Sequence, residues 1–146
     1  MIIHRRFTDR SPSYDTAESV RAVFRLYTDE KPPLELVEAV ERVGGVVKTS
    51  LPPRTKMASL AEISSENRVD SLDLRDHLDW IIPLIEAVHM EMEDCPKEVT
   101  GVAVVYVNWW SKRGEGGPAI WPEQMRKLAE LDLELVIDVS FYGRDS

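Results

Sequence analysis

The sequence has 146 residues, of which 43% are hydrophobic, enough for one domain with an apolar core and too few for two ordinary domains. Its 18 basic and 26 acidic residues give a formal net charge of -8, which disfavours phosphate backbones and argues against nucleic-acid binding. The single cysteine, Cys95, cannot form an internal disulfide, and no apolar run reaches the roughly 18 residues of a membrane-spanning helix. Residues 1–6 also lack the apolar stretch of a signal peptide, so we expect a cytoplasmic protein that does not contact membranes.

Residues 1–19 are poor in apolar periodicity and predict an N-terminal arm or irregular lead-in before the folded domain. A single α+β domain is expected over residues 20–142, followed by a frayed C-terminus at residues 143–146. The domain begins with an alternating apolar pattern from Val20 to Tyr27, which predicts a half-buried strand.

A helix is predicted after Pro32 and Pro33, which pre-set the backbone angle of a first helical turn. Its apolar residues recur at helical spacing, and two glycines close it: Leu36, Val37, Val40 and Val43, then Gly44 and Gly45. A weak alternation between Met57 and Ser65 predicts a strand after a loop.

The strongest pattern predicts a long helix from about Leu72 to Glu93. Its apolar residues form one stripe at spacings of three and four: Leu74, Leu78, Ile81, Ile85, Val88 and Met92. Asp70 or Ser71 is the expected N-terminal cap, and Pro83 is expected to kink the helix because it lacks a backbone N–H.

Three further elements complete the chain. The run from Val99 to Trp110 is apolar on both faces and predicts a central strand. Pro122 is expected to open a short helix with Met125, Leu128 and Leu131 facing inward, and residues 133–142 alternate as a final strand. This order predicts an α+β fold with a mostly antiparallel sheet, helices packed on one face, and a topology related to the ferredoxin-like fold.

The core pattern from Val20 to Tyr142 resembles the bacterial domain-of-unknown-function family 4279. The residues that carry the resemblance lie in the opening strand, the segment Ser59 to Ser65, the long helix and the closing run from Pro122 to Asp138. Family members commonly carry a tryptophan before the serine-containing strand, where this chain has Met57 and Ala58. The resemblance implies a fold but no reaction, cofactor or catalytic residue. Some relatives of this kind occur beside polymorphic toxins and are suspected immunity proteins.

No residue pattern predicts a catalytic or metal site. His77 and His89 are twelve residues apart, outside the spacing of a helical zinc motif, so we expect neither metal nor cofactor. His77 is interpreted as a helix-edge histidine that donates its proton to Asp73. The run Asp70, Asp73, Asp76 and Asp79 is interpreted as a solvated helix face, and Arg113 to Pro118 as a connecting loop.

The most informative cluster is aromatic. Alternation sends Trp109 and Trp110 to opposite faces of their strand, so one of them is expected to be more exposed than the other. The exposed one would join an apolar surface on the sheet face away from the helices, unless the N-terminal arm, a loop or a second copy covers that face. The candidate partner-binding residues are Tyr106, Trp109, Trp110, Glu115 and Trp121.

Two functions remain open from the sequence. The first is a protein-binding module, such as an immunity-like protein that occludes a basic toxin domain, with a protein partner or self-association. The alternative is a small-ligand sensor or enzyme with a pocket between the sheet and the tryptophan-bearing loop, in which His77 or a buried carboxylate acts as acid or base.

Overall fold

Five strands and three helices follow one another along residues 1–141, the part of the chain that the computed structural model describes. In chain order they are β1 (Ala17–Thr28), α1 (Leu34–Arg42), β2 (Val46–Lys48), β3 (Ser59–Ser64), α2 (Leu74–Glu93), β4 (Gly101–Ser111), α3 (Pro122–Glu130) and β5 (Glu134–Ser140). The predicted frayed segment at residues 143–146 lies outside the described residues, as does Tyr142.

The five strands form one sheet in the order β2-β3-β1-β4-β5. Every neighbouring pair is antiparallel except β4 and β5, which are parallel. The first six elements, β1 to β4 with α1 and α2, have the βαββαβ order of a ferredoxin-like unit, and α3 with β5 adds a fifth strand at one edge. The predicted α+β class and mostly antiparallel sheet are confirmed.

The core lies between the helices and one face of the sheet. On that face Phe24 of β1 stands between Ile63 of β3 and Val105 of β4, and all three are buried. The predicted stripe of α2 packs on this layer, with Leu78, Ile81 and other stripe residues fully buried. Burial of this stripe is the main contribution of α2 to stability, because buried apolar area drives folding.

The N-terminal cap of α2 is Asp73, so the predicted cap at Asp70 or Ser71 is wrong. One carboxylate oxygen of Asp73 accepts a hydrogen bond from the Arg75 backbone N–H at 3.0 Å. Ser71 instead supports the cap, since its hydroxyl oxygen accepts from the Asp73 N–H at 3.0 Å. The cap lies two residues after Ser71 and three after Asp70, because the Asp73 carboxylate is the one that the Arg75 side chain holds beside the Arg75 N–H.

Two other expectations need correction. Residues 46–48 form a short strand, β2, which was not predicted because three residues are too few to show a period. In α3, Leu128 is buried as expected, but Met125 is 49% exposed and Gln124 is buried instead. Gln124 is buried because its amide spans the gap between α3 and α2, donating to the Arg75 carbonyl at 2.9 Å.

Candidate functional site

The sheet face opposite the helices is the largest candidate surface. The strand registers place Tyr106 between Val23 of β1 and Val136 of β5 on this face. We call the side chains that point this way on β1, β3, β4 and β5 the open face. Among its members are Arg21, Arg25, Tyr27, Leu60, Glu62, Val104, Tyr106, Asn108, Trp110, Glu134, Val136 and Asp138. The three helices of residues 1–141 all lie on the other side.

The two adjacent tryptophans of β4 lie on different faces. Trp109 pairs with Val20 and Val139 on the helix side, where it is completely buried. Trp110 pairs with Ser19 and Ser140 on the open face and is partly exposed. The expectation that one tryptophan is more exposed than the other is confirmed, and Trp110 is that residue.

Polar contacts order the side chains around Tyr106. The Arg25 guanidinium lies 5.1 Å from the centre of the Tyr106 ring, and its Nε donates to Glu62 at 3.2 Å. The Tyr106 hydroxyl donates to Asp138 at 3.1 Å, and this hydrogen bond raises the pKa of the Tyr106 phenol. Each charge near the ring therefore has an opposite charge or a hydrogen-bond partner beside it.

The negative charge of the chain is concentrated on the helices rather than on the open face. Helix α2 carries five acidic residues and one arginine, and α1 carries three acidic residues and one arginine. On the open face the acidic residues alternate with Arg21 and Arg25, which donate to Glu66 at 3.1 Å and to Glu62 at 3.2 Å. A cationic partner would be attracted mainly to the helical side.

Trp121 does not lie with Trp110. It is the residue before α3, on the helix side, because the chain leaves the end of β4 and crosses to the helical layer there. Three guanidinium carbons stand over its ring at 4.5 to 5.4 Å, from Arg6, Arg10 and Arg75. The predicted surface of the open face and the whole loop from Ser111 to Trp121 is thus divided between two sides of the molecule.

Glu115 lies within the loop that separates the two tryptophans. It is exposed, and its backbone carbonyl accepts a hydrogen bond from the Ser111 hydroxyl at 2.8 Å. This bond ties the loop to the end of β4, but it leaves the Glu115 carboxylate at the surface.

An ion pair at the start of α2 binds residues 8–11 of the N-terminal arm through hydrogen bonds. Arg75 donates to both carboxylate oxygens of Asp73, at 2.9 and 2.7 Å, and both side chains are fully buried. The remaining N–H groups of Arg75 donate to the carbonyl oxygens of Thr8 at 3.0 Å and Asp9 at 2.8 Å, while Asp73 accepts from the Ser11 N–H at 2.9 Å. The arm therefore supplies the partners that a buried guanidinium requires.

The charges of this pair are mutually stabilised. Burial alone would raise the pKa of Asp73, but the hydrogen bonds from Arg75 and from the Ser11 and Arg75 N–H groups outweigh burial and lower it. The hydrogen bond to Asp73 raises the pKa of Arg75. The interpretation of Asp73 as part of a solvated helix face is therefore wrong, because the arm covers it and its side chain is fully buried. Nothing in the local sequence indicates that a distant arm will cover this pair.

His77 is a structural bridge between α2 and the sheet. Its Nε2 donates to the Ser71 carbonyl at 2.6 Å, so its Nδ1 accepts from the Ser65 hydroxyl at 2.7 Å. The Ser65 oxygen in turn accepts from the Ala22 N–H at 2.9 Å. Burial lowers the pKa of His77, and the expected proton acceptor, Asp73, is not its partner because Arg75 occupies that carboxylate. Since Ser65 is fully buried, this serine–histidine pair offers no accessible nucleophile.

An apolar cavity of about 500 Å³ lies at the other end of the sheet from the loop. It opens between the sheet and the last turns of α2, near the start of β4, and its wall includes Phe24, Leu26, Leu36, Val88, Met92 and Leu133. Its lining also includes polar side chains, among them His89, Lys97 and Glu98. A smaller hollow of about 440 Å³ is lined by the arm and by Gly116 and Gly117 of the loop, where the Tyr14 hydroxyl donates to the Gly117 carbonyl at 3.0 Å. The apolar cavity is thus distinct from the predicted pocket beside the tryptophan-bearing loop.

Within residues 1–141, no group of three or more His, Cys, Asp or Glu side chains is placed to hold a metal ion. None of the helices in that range is long and apolar enough to cross a membrane. No family model, curated protein or solved structure matches the chain.

Proposed function

We propose that this chain is a protein-binding module whose contact surface is the open face of its sheet. One observation carries the proposal: the open face presents Trp110 and Tyr106 beside the valines at positions 104 and 136, on the side of the sheet that the helices leave uncovered. Partly exposed aromatic side chains with an ordered polar surround are typical of the energetic centre of protein interfaces.

A narrower form of the proposal makes the partner a toxin and the chain an immunity-like protein. The net charge of -8 supports a basic partner, because opposite charge accelerates association and favours the right partner. The acidic residues of α1 and α2 lie away from the open face, so their charge would raise the rate of encounter without orienting the partner, and Trp110 and Tyr106 would fix where it binds.

The test is binding to the products of the reading frames that flank this one, each expressed together with the chain. We expect one of these products to co-purify with the wild-type protein. Trp110→Ala and Tyr106→Ala should each weaken the complex by about tenfold or more, as expected for a central aromatic anchor.

The matched control is Met90→Ala, which removes a side chain that is 69% exposed on α2. It should leave binding unchanged. Weaker binding of Met90→Ala with no effect of Trp110→Ala would place the interface on the helices and overturn the proposal. Protection of growth against the flanking product would support the immunity form, and a toxic product that the chain fails to neutralise would reject it.

The apolar cavity favours a second candidate function, the binding of a small ligand. Its volume of about 500 Å³ lies within the usual range of ligand pockets, and a lining that combines apolar and polar side chains suits an amphipathic molecule. Medium-chain fatty acids are suitable probes because they combine an apolar body with one charged end.

The test for this candidate is the melting temperature in the presence of such acids. Ala103→Phe is designed to fill the cavity, since Ala103 lines it, and Ala129→Phe introduces the same ring at an exposed position of α3 as a control. A ligand that occupies the cavity should stabilise the wild type and the control but not Ala103→Phe. Equal shifts in all three proteins would exclude the cavity as the binding site.

A further inference from the structure

The two edge strands of the sheet differ in how they are protected. Strand β2 has only three residues and carries Lys48, and short strands with lysine resist pairing with other chains. Strand β5 has seven residues, and on its helix side Ile137 is 36% exposed and Val139 is 55% exposed. No strand of residues 1–141 pairs with the outer edge of β5.

We propose that β5 is a dimerisation edge, at which two copies of this chain join their sheets by antiparallel β5–β5 pairing centred on Ile137. A twofold axis perpendicular to the sheet produces such a pair, and the two sheets become one sheet of ten strands. Main-chain hydrogen bonds along the shared edge supply the affinity, as in other cases of strand addition.

The order of apolar and acidic side chains along β5 favours one register of the β5–β5 pair. Across a twofold axis at Ile137, that residue faces its own copy and Leu135 faces Val139, so the helix side of the junction is entirely apolar. On the open-face side, Glu134 faces Ser140 and Asp138 faces Val136, so no acidic residue lies directly opposite another.

Two neighbouring registers also keep each side chain on its own face of the sheet, but they bring carboxylates together across the junction. An axis at Asp138 places that carboxylate opposite its own copy. An axis at Val136 places Glu134 opposite Asp138. Directly opposed like charges destabilise a strand pair, and only the axis at Ile137, the middle residue of β5, also uses the whole strand.

This interface would cover the exposed apolar residues of β5. Exposed apolar edges invite aggregation unless they are covered, and a twofold contact covers both β5 edges and leaves only the short β2 strands at the ends of the joined sheet. The interface is independent of the proposed function, although it brings the open faces of two copies side by side.

The first test is sedimentation velocity over a concentration series. The wild-type protein should form a dimer, and Val139→Lys should weaken it by about tenfold or more, because the symmetric contact contains the substitution twice. Val46→Lys is the matched control, since it places the same charge on a 54% exposed residue of the other edge strand. It should not alter the dimer.

The second test reads the register by disulfide formation in a Cys95→Ser background. Ile137→Cys should cross-link to itself, because the two copies of residue 137 are directly opposed. Val136→Cys and Asp138→Cys should cross-link faster when mixed with each other than either does alone. Fastest self-cross-linking at residue 136 or 138 would overturn the register.

Two outcomes would overturn the dimer itself. One is a monomer throughout the concentration series. The other is a dimer that Trp110→Ala dissociates while Val139→Lys does not, which would assign self-association to the open face instead. Failure of Trp110→Ala to affect a partner complex concerns the proposed function alone.

Discussion

The two faces of the sheet are built from the same strands but differ in burial and in the kind of side chains they carry. The helix side is closed by apolar contacts with α2, and its buried charges at Asp73 and Arg75 are paired with each other. The open face mixes aromatic side chains with charges that stay near solvent, as at Tyr106 and Arg25. The helix side therefore holds most of the buried apolar area that stabilises the fold, whereas the open face keeps more of its polar side chains near solvent.

The largest difference in stability between the two faces is expected at the adjacent residues Trp109 and Trp110. Trp109→Ala should lower the free energy of unfolding by about 3–5 kcal/mol, because it leaves a cavity in the core. Trp110→Ala should lower it by about 1 kcal/mol or less, because its side chain is partly exposed. Denaturant titration of both variants measures the difference, and equal losses would contradict the assignment of the two faces.

The ion pairs of Arg75 and Arg25 should also differ in how much they contribute to stability. Arg75→Met should cost about 3–5 kcal/mol, because it leaves the buried Asp73 carboxylate without its partner. Arg25→Met on the open face should cost at most about 1 kcal/mol, because the pair with Glu62 remains partly solvated. Chemical unfolding at neutral pH checks both values. A larger loss in Arg25→Met would mean that the open face, too, is needed for folding.

Helix α2 has a buried side and an exposed side, and substitutions on the two sides should differ in their effect on stability. Ile81→Ala should lower the free energy of unfolding by about 2–5 kcal/mol, since Ile81 is fully buried under the sheet. Met90→Ala on the outer side of the helix should change it by about 0.5 kcal/mol or less. If thermal or chemical denaturation ranks Met90 above Ile81, the buried side of α2 has been assigned incorrectly.

The smallest expected effect is a pH dependence that originates on the helix side. Burial lowers the pKa of His77 in the folded chain below its ordinary value of 6.5, so the unfolded chain binds the proton more readily. Stability should therefore fall as the pH drops below 6.5, and the slope should be smaller in His77→Gln. Asp73 contributes only at lower pH, because its folded pKa lies below 3.8. Urea titrations between pH 7 and pH 5 test this, and parallel slopes in the two proteins would refute it.

Much of this architecture could be predicted from local patterns. The stripe of α2 and the alternation of β1 indicated both the elements and the faces they bury, because burial repeats with the period of the element. The run that forms β4 is apolar on both faces, so it indicated a strand inside the sheet but not which face is more buried. The separation of Trp109 from Trp110 followed from the same rule. Strand β2 was missed because three residues contain no measurable period.

The candidate site was predicted only in part, because its members do not share one element. Tyr106 and Trp110 lie on one strand, so alternation placed them together on the open face. Trp121 was grouped with them because it is close in sequence, but the chain enters the helical layer before reaching it. Proximity along a loop carries no information about the side of the sheet on which the loop ends.

The sequence alone was enough to determine the α+β class, most of the helices and strands, and the buried sides of β1 and α2, since these depend on neighbours a few positions away. Only the tertiary structure decided that the arm covers Asp73 and Arg75, that Gln124 replaces Met125 in the interior, and that β5 remains at an edge. These features arise from contacts between residues far apart in the chain, whose geometry exists only after the helices and strands have packed.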